Sequence, residues 1–422
     1  CAYPFYFPSE LIKYSSLTCR KKNRSLILSE KFNIKIAPSI EIISKYLPNL
    51  NHFQDLTEVG FEHIPAGADR DRRIARAQAM RRVGNKLPPP YPNGWFAVAE
   101  SAELPVEGTL AVDALGENLC VYRATDGTAH VVDAYCPHLG AHLAVGGLVC
   151  GDHIQCPFHK WRFDSQGQCV YVPGAEKAPK GVSIRTWYTV EAEGAVWVWY
   201  DAERRPPAWP LLQDPVCSSW GYRGRNEFYV SAHVQEIPEN GADVMHLEAV
   251  HADSVIVSLG EKFSFLNKFI GHHIWAATWA SNTDHTATMK LTHQYEWLGM
   301  RILHTDIDVT QLGPGHVRLH VKTPLGPILI SQSVTPLGPL LQKVVDRIYS
   351  PTYNAAFGRY FVVQEGRMIE RDIKIWNSKI FVSAPAYVKA DKTIRAFRSW
   401  FSQFYSENSV TFKDSYRNNL EW

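Results

Sequence analysis

The stretch CPHLGAHLAVGGLVCGDHIQCPFHKW, residues 136–161, constrains this chain more than any other. It holds three cysteines and four histidines, a density that points to metal. The spacing is Cys136-x-His138, seventeen residues, then Cys156-x-x-His159. Two Cys and two His can hold a tetrahedral zinc, but zinc motifs pair Cys with Cys and His with His. Here each short segment offers one thiolate and one imidazole. That order suits a two-iron cluster in which one iron takes both Cys and the other both His. Each segment is then expected as a loop at the tip of a β hairpin. Cys150 and Cys169 fall outside the pattern and read as small buried apolar residues. His142 and His153 read as loop hydrogen-bonding residues.

The chain has 422 residues, which implies more than one domain. Lys+Arg 44 against Asp+Glu 42 leaves a net charge of +2, so nothing global points to nucleic acid. Eight cysteines are too few for a disulfide scaffold, and their clustering favours a reduced, intracellular compartment. No apolar run reaches the roughly 18–20 residues a membrane span needs. The first residue is Cys, so the chain is expected to be incomplete or processed at its start.

Residues 1–68 read as a poorly defined extension, with IAPSIEIISKYL as one short helix. Residues 69–92 read as an Arg-rich helix followed by a Pro-rich linker. From 93 to 205 short strands alternate with turns such as TDG, DSQGQ and EG, which predicts a small antiparallel β domain. DAERRPPAWP is a linker. Residues 215–385 then read as an α+β, helix-grip-like domain with an enclosed pocket, and 386–422 as a C-terminal tail. In the second domain ENGADVMHLEAVH, LLQKVVDRIYS and VQEGRMIERDIKIWNSKIF are expected as helices. HHIWAATWAS, ATMKLTHQYEW and HVRLHVKT are expected as strands.

His246 and His251 alone are weak evidence for a second metal site, which the fuller motif described below implies by resemblance. His246 and His251 are five apart, roughly 140° around a helix, so the helix should end or loosen between them. A non-haem iron(II) site needs two His and a carboxylate. On the helix through EGRMIERDIKIW, Asp372 sits in the middle of an apolar arc of Met368, Ile369, Ile373, Ile375 and Trp376. A carboxylate facing inward is costly unless paired or bound to metal, which makes Asp372 the candidate and Glu365 the runner-up. No Gly-rich dinucleotide fingerprint is present. NAD(P)H electrons therefore have to arrive through a separate reductase or ferredoxin. Lys160 and Arg162 beside the cluster are placed to meet an acidic partner.

CPHLGAHL and CPFHKWRF resemble the two cluster loops of Rieske proteins. The resemblance implies a [2Fe–2S] cluster on Cys136, His138, Cys156 and His159. Ala141 and Phe158 stand where respiratory Rieske proteins carry a loop disulfide, so the pattern resembles the Rieske oxygenases. Many of those have Gly where this chain has Lys160. Asn240-x-x-Asp243-x-x-His246-x-x-x-x-His251 resembles their mononuclear iron motif, and the family's iron carboxylate also falls on a late helix. The resemblance implies that Asp243 bridges a cluster His of one subunit to an iron-site His of the next, in a homotrimer. RRVGNKLPPPYPNGWF, CPFHKWRF, ERDIKIWNSKIF and RSWFSQFYSENS are similar to the animal cholesterol 7-desaturases, the Neverland family. That likeness implies cholesterol as substrate, 7-dehydrocholesterol as product, and association with the endoplasmic reticulum membrane. A steroid hydroxylase, or another Rieske monooxygenase acting on a large apolar substrate, shares both motifs and is the alternative.

Overall fold

The computed structural model describes residues 50–55, 86–251 and 271–418, with short pieces between 64 and 84. The expected helix at 36–47 lies outside the described residues. Of the expected helix over 69–83, Asp69 lies in a turn, Arg70 and residues 72–74 are helical, and the rest lies outside the described residues.

The chain is α+β. Strand β1 (Leu50–Asp55) precedes a run of short strands: β2 (Gly94–Glu100), β3 (Thr109–Ala114), β4 (Glu117–Arg123) and β5 (Ala129–Asp133). Four very short strands follow, β6 (Leu148–Cys150), β7 (His153–Gln155), β8 (Arg162–Phe163) and β9 (Cys169–Tyr171). The hairpin β10 (Thr189–Ala192) and β11 (Ala195–Tyr200) closes this part. The strands form three small antiparallel sheets, ordered β10-β11-β2, β3-β4-β5 and β6-β7-β8-β9. Period-2 patterning builds them: Val196 and Val198 point into one core with Phe96, Leu119 and Val121, while Trp197 and Trp199 fill another on the opposite face. The last sheet carries the cluster motif on its own apolar core of Leu143, Ile154 and Phe163.

The second domain is an eight-stranded sheet. Its later strands are β12 (Gly221–Val230), β13 (His272–Ser281), β14 (Thr286–Trp297), β15 (Met300–Leu312), β16 (His316–Thr323), β17 (Gly326–Gly338) and β18 (Leu341–Ser350). The order is β1-β12-β18-β17-β16-β15-β14-β13, antiparallel except for the parallel pair β1 and β12. Four helices matter: α1 (Glu236–Glu239), α2 (Val244–His251), α3 (Ala355–Ser378) and α4 (Lys392–Phe401).

LLQKVVDRIYS, expected as a helix, is strand β18 between β12 and β17. It is buried on both faces over most of its length, which removes the alternation that marks a half-exposed strand. Its one face packs on α3, through Val344 with Ile373 and Trp376, and Ile348 with Val362. Its other face carries Arg347 to Glu100 of β2, with Nε donating to Oε2 at 2.9 Å. Burying a side chain such as Ile373 or Trp376 contributes on the order of 1.5–3 kcal/mol, and that is what holds α3 against the sheet.

A second buried ionic contact joins the two parts. Glu193, at the β10–β11 turn, meets His316 Nε2 of β16 at 3.0 Å and also takes hydrogen bonds from Ser331 Oγ and the Asp214 amide. Arg318 pairs with the same carboxylate. Residues 386–422 were expected as a tail. Within them, Phe397, Trp400 and Phe401 of α4 pack with Trp279 of β13 and Met289 of β14.

Candidate active site: two metal-binding constellations

The cluster motif folds into two loops of the same construction. In the first, the Gly140 amide donates to the Cys136 carbonyl at 2.9 Å, and the Cys136 amide donates to Ala141 O at 2.9 Å. In the second, the Lys160 amide donates to the Cys156 carbonyl at 3.1 Å, and the Cys156 amide donates to Trp161 O at 2.8 Å. Each turn needs a left-handed residue at its end. Gly140 takes it with φ 72°, and Lys160 takes it with φ 58°. This explains why a glycine is at home at the position of Lys160.

The loops bring like with like. The rings of His138 and His159 lie 4.6 Å apart. Cys136 and Cys156 are buried side by side, so each keeps water from the other. Burial first, and then the neighbouring thiol, push the Cys136 thiol up to about 11. A thiol so placed becomes a thiolate when a metal supplies positive charge. The set of two sulfurs and two imidazoles therefore fits a [2Fe–2S] cluster with unequal irons. His138 is exposed and His159 half-buried, so the histidine side faces outward. Trp161 was missed in the sequence. It stacks on His138, 4.4 Å between ring centres and 8° between planes, and fixes the ring's orientation. Only its place one residue beyond the second turn could have marked it. Lys160 is exposed, whereas Arg162 is held by Gln155 Oε1 at 2.8 Å and lies over the Tyr171 ring.

The downstream residues converge too. One ligand atom each from His246, His251 and Asp372 lies within 4.8 Å of the others. His251 Nε2 is 3.2 Å from Asp372 Oδ2, and the His246 and His251 rings are 5.4 Å apart. The expected loosening between the histidines does not occur: α2 runs unbroken from Val244 to His251. The break falls earlier, at residues 240–243, between α1 and α2. His246 sits in the first turn, and its Nδ1 bonds the carbonyl of Asp243, leaving Nε2 for a metal. His251 is the last residue of the helix, and its Nδ1 is buried without a hydrogen-bond partner among the described residues.

Three contacts clasp α2 to α3. Trp376 Nε1 donates to Asn240 Oδ1 at 3.2 Å, Arg371 Nη1 donates to Val250 O at 3.3 Å, and His251 meets Asp372. Arg371 also places positive charge at the carbonyl end of α2, where it is favourable. Trp275 of β13 donates to the His251 carbonyl at 3.2 Å. Of the expected apolar arc on α3, Ile373 and Trp376 are buried, but Ile375 is 47% exposed. Glu365 lies two turns before Asp372 and takes a hydrogen bond from Asn226, away from the histidine pair. Two imidazoles and one carboxylate are a donor set that fits a non-haem iron(II) of the kind that keeps positions for oxygen.

Asp243 caps α2, accepting the His246 amide on Oδ1 at 3.2 Å. With His246, Met245, Val250, Tyr387 and Arg398 it also lines a surface cleft of about 460 Å³.

Residues 94–187 match the Rieske [2Fe-2S] domain family, and residues 198–405 match the 3-ketosteroid 9alpha-hydroxylase C-terminal domain family. Among solved structures, dicamba monooxygenase with non-heme iron aligns with TM-score 0.54 at 17% identity, over 74% of this chain and 96% of that one. Cholesterol 7-desaturase nvd of Bombyx mori is 61% identical over 381 residues, 90% of this chain and 84% of that protein. The Drosophila melanogaster protein of the same name is 39% identical, over 80% of each chain. A paired-loop cluster site, a His–His–Asp constellation and likeness over nine-tenths of the length agree: the chain belongs to the cholesterol 7-desaturase family of Rieske oxygenases.

Proposed function

We propose that this chain desaturates cholesterol at the 7,8 bond to 7-dehydrocholesterol, using oxygen and electrons from an external ferredoxin or NAD(P)H-dependent reductase. The observation that carries it is the convergence of His246, His251 and Asp372 in a chain with a Rieske domain and cholesterol 7-desaturase relatives. In this reading Cys136, His138, Cys156 and His159 hold the cluster, and His246, His251 and Asp372 hold the mononuclear iron. The iron, when bound, supplies oxygen activation. Desaturation takes two hydrogens from the ring. Dioxygen takes up four electrons, two from the substrate and two from the donor, and leaves as two waters.

The chain's own residues hold the geometry. Asp243 orients His246 through its carbonyl and amide contacts, and Arg371 and Trp376 keep α3 in phase with α2. Residues 93–205 form the electron-entry domain in this reading, and 215–385 the catalytic one. The outward-facing cluster histidines and the surface position of Asp243 support electron passage between subunits of a homotrimer, Asp243 bridging the two centres. The low water solubility of a sterol supports work at the endoplasmic reticulum membrane. No described helix is long and apolar enough to cross one.

The test supplies iron-loaded protein with cholesterol, oxygen, NADPH and a ferredoxin–reductase pair. A conjugated ring diene, seen by ultraviolet absorbance and mass, is expected. A hydroxylated product without the diene would establish the second reading, a steroid hydroxylase, which the match to the 3-ketosteroid hydroxylase domain favours.

A further inference from the structure

Helix α3 carries more than Asp372. Phe361, Glu365, Met368 and Asp372 follow at intervals of four, three and four, one stripe down a single side of the helix. Phe361 and Met368 are apolar and half-buried. Glu365 interrupts them, and the sheet answers it with a polar row. Asn226 of β12, Asp346 of β18 and Gln332 of β17 are direct cross-strand neighbours. Asn226 Nδ2 donates to Glu365 Oε2, and Asp346 lies beside Glu365. Asp346 is fully buried, and among the described residues neither of its carboxyl oxygens has a hydrogen-bond partner of ordinary geometry. Apolar clusters flank the row on both sides, Val344 and Phe228 on one, Ile330 and Ile348 on the other.

An acid pair of one fully buried and one half-buried carboxyl, in a polar row between apolar clusters, is costly and has no evident packing purpose. Two carboxyls in contact cannot both ionise, so they share a proton. Burial pushes Asp346 up to about 6, and burial together with the neighbouring Asp346 carboxylate pushes Glu365 well above its ordinary value. The pair therefore offers one O–H donor and several acceptors, complementary to an alcohol, which also donates and accepts.

From this geometry we infer that Glu365, backed by Asp346 and Asn226, is the specificity-determining residue that receives the substrate's hydroxyl. The inference rests on the sterol reading and on Asp372 as an iron ligand. Glu365 and Asp372 are seven residues apart, about 10 Å of helix rise, and within about 20° of one face. In a sterol the hydroxyl oxygen and the 7-carbon are five bonds apart, about 6 Å when extended. A metal held by Asp372 and a hydroxyl held by Glu365 thus bracket the ring system, with Met368 between them.

The test compares cholesterol with cholest-5-ene, the same ring system without the hydroxyl, on the iron-loaded enzyme. The wild-type chain should prefer cholesterol by about ten- to a hundredfold in kcat/KM, chiefly through KM. Glu365→Leu should bring the ratio to within about threefold by losing cholesterol while keeping the deoxy sterol. A merely structural role would lower both alike. Where the lone Asp346 prevents folding, the Glu365→Leu/Asp346→Leu double variant removes both acids, and the ratio should collapse in the same way. An unchanged ratio in a folded variant overturns the inference, as does a wild-type chain that converts both sterols equally. A wild-type chain that converts neither overturns the function itself.

Discussion

The two metal constellations are built in opposite ways. The cluster site is local: all four candidate ligands fall between Cys136 and His159, on two loops that copy each other's hydrogen bonds. The iron site is assembled at a distance, by docking α2 on a helix that carries Asp372, 121 residues beyond His251. A local site depends on turns. An assembled site depends on the sheet and on the α2–α3 clasp. The two should therefore fail independently.

The largest effects come from removing one ligand of each. Asp372→Ala is expected to lose mononuclear iron and to lower turnover by about a thousandfold or more. The visible spectrum of the cluster should be unchanged. Cys156→Ser should do the reverse, losing the cluster and loosening the core around Leu143 and Phe163 while mononuclear iron is retained. Iron per chain and the visible and EPR spectra of both variants check this. Loss of both metals from either variant would break the contrast.

Glu193 makes one of the buried ionic contacts that join the two parts. Cutting it should cost stability without touching either metal. Glu193→Gln is expected to destabilise the fold by about 3–5 kcal/mol, because His316 and Arg318 lose their buried partner. Burial opposes the charge on Glu193, but the hydrogen bond from His316, the Arg318 charge and the Ser331 hydroxyl outweigh it and hold the carboxyl well below the usual carboxylate range. Burial holds His316 below its ordinary value, neutral and donating to Glu193. Both shifts act in one direction. Each folded-state value lies below its unfolded one, so the stability is complete above pH 6.5. It is lost first as His316 would protonate on unfolding, then further as pH falls through 4.5 toward the depressed value of Glu193. Thermal melts from pH 7 downward should show the wild-type midpoint falling first through the His316 range and then further below pH 4.5. In Glu193→Gln the first fall should persist, because the buried imidazole still resists protonation, and the second should be absent.

Asp243 tests whether the centres communicate. Asp243→Ala should keep both metals and lower turnover by about ten- to a hundredfold, the usual range for a partner that orients a ligand. Stopped-flow oxidation of the cluster should slow in parallel. Unchanged kinetics would reduce Asp243 to a helix cap.

The contrast also governs what could be read from sequence. Cys136, His138, Cys156 and His159 stand close together, so spacing alone exposes them. Asp372 was reached through the phase of one helix, and the fold brings it to His251. Glu365 has nearly the same phase, and only the cross-strand neighbours of Asn226 separate the two. Strand β18 was misread because burial on both faces erases alternation, and its Leu, Gln and Lys suit a helix. The α2 geometry was misread because ideal phase ignores where a helix starts. His246 in a first turn can swing back onto Asp243, which five-residue spacing does not show.

The smallest effect probes the copying of the two loops. Gly140 and Lys160 occupy the same left-handed position, but only one is a glycine. A side chain there costs about 1 kcal/mol of backbone strain. Lys160→Gly should therefore stabilise the second loop by about 0.5–1 kcal/mol. Gly140→Ala should destabilise the first by a similar amount, through φ alone, since a Cβ there meets nothing within 4 Å. Thermal melts of both variants with the cluster intact measure the pair. If the loops are true copies, the two changes have opposite sign and similar size. Should Lys160→Gly stabilise the protein but slow cluster reduction by an acidic donor, the strain in the second loop is tied to the cation it displays. Equal reduction rates would make Lys160 a strained residue without a role in docking.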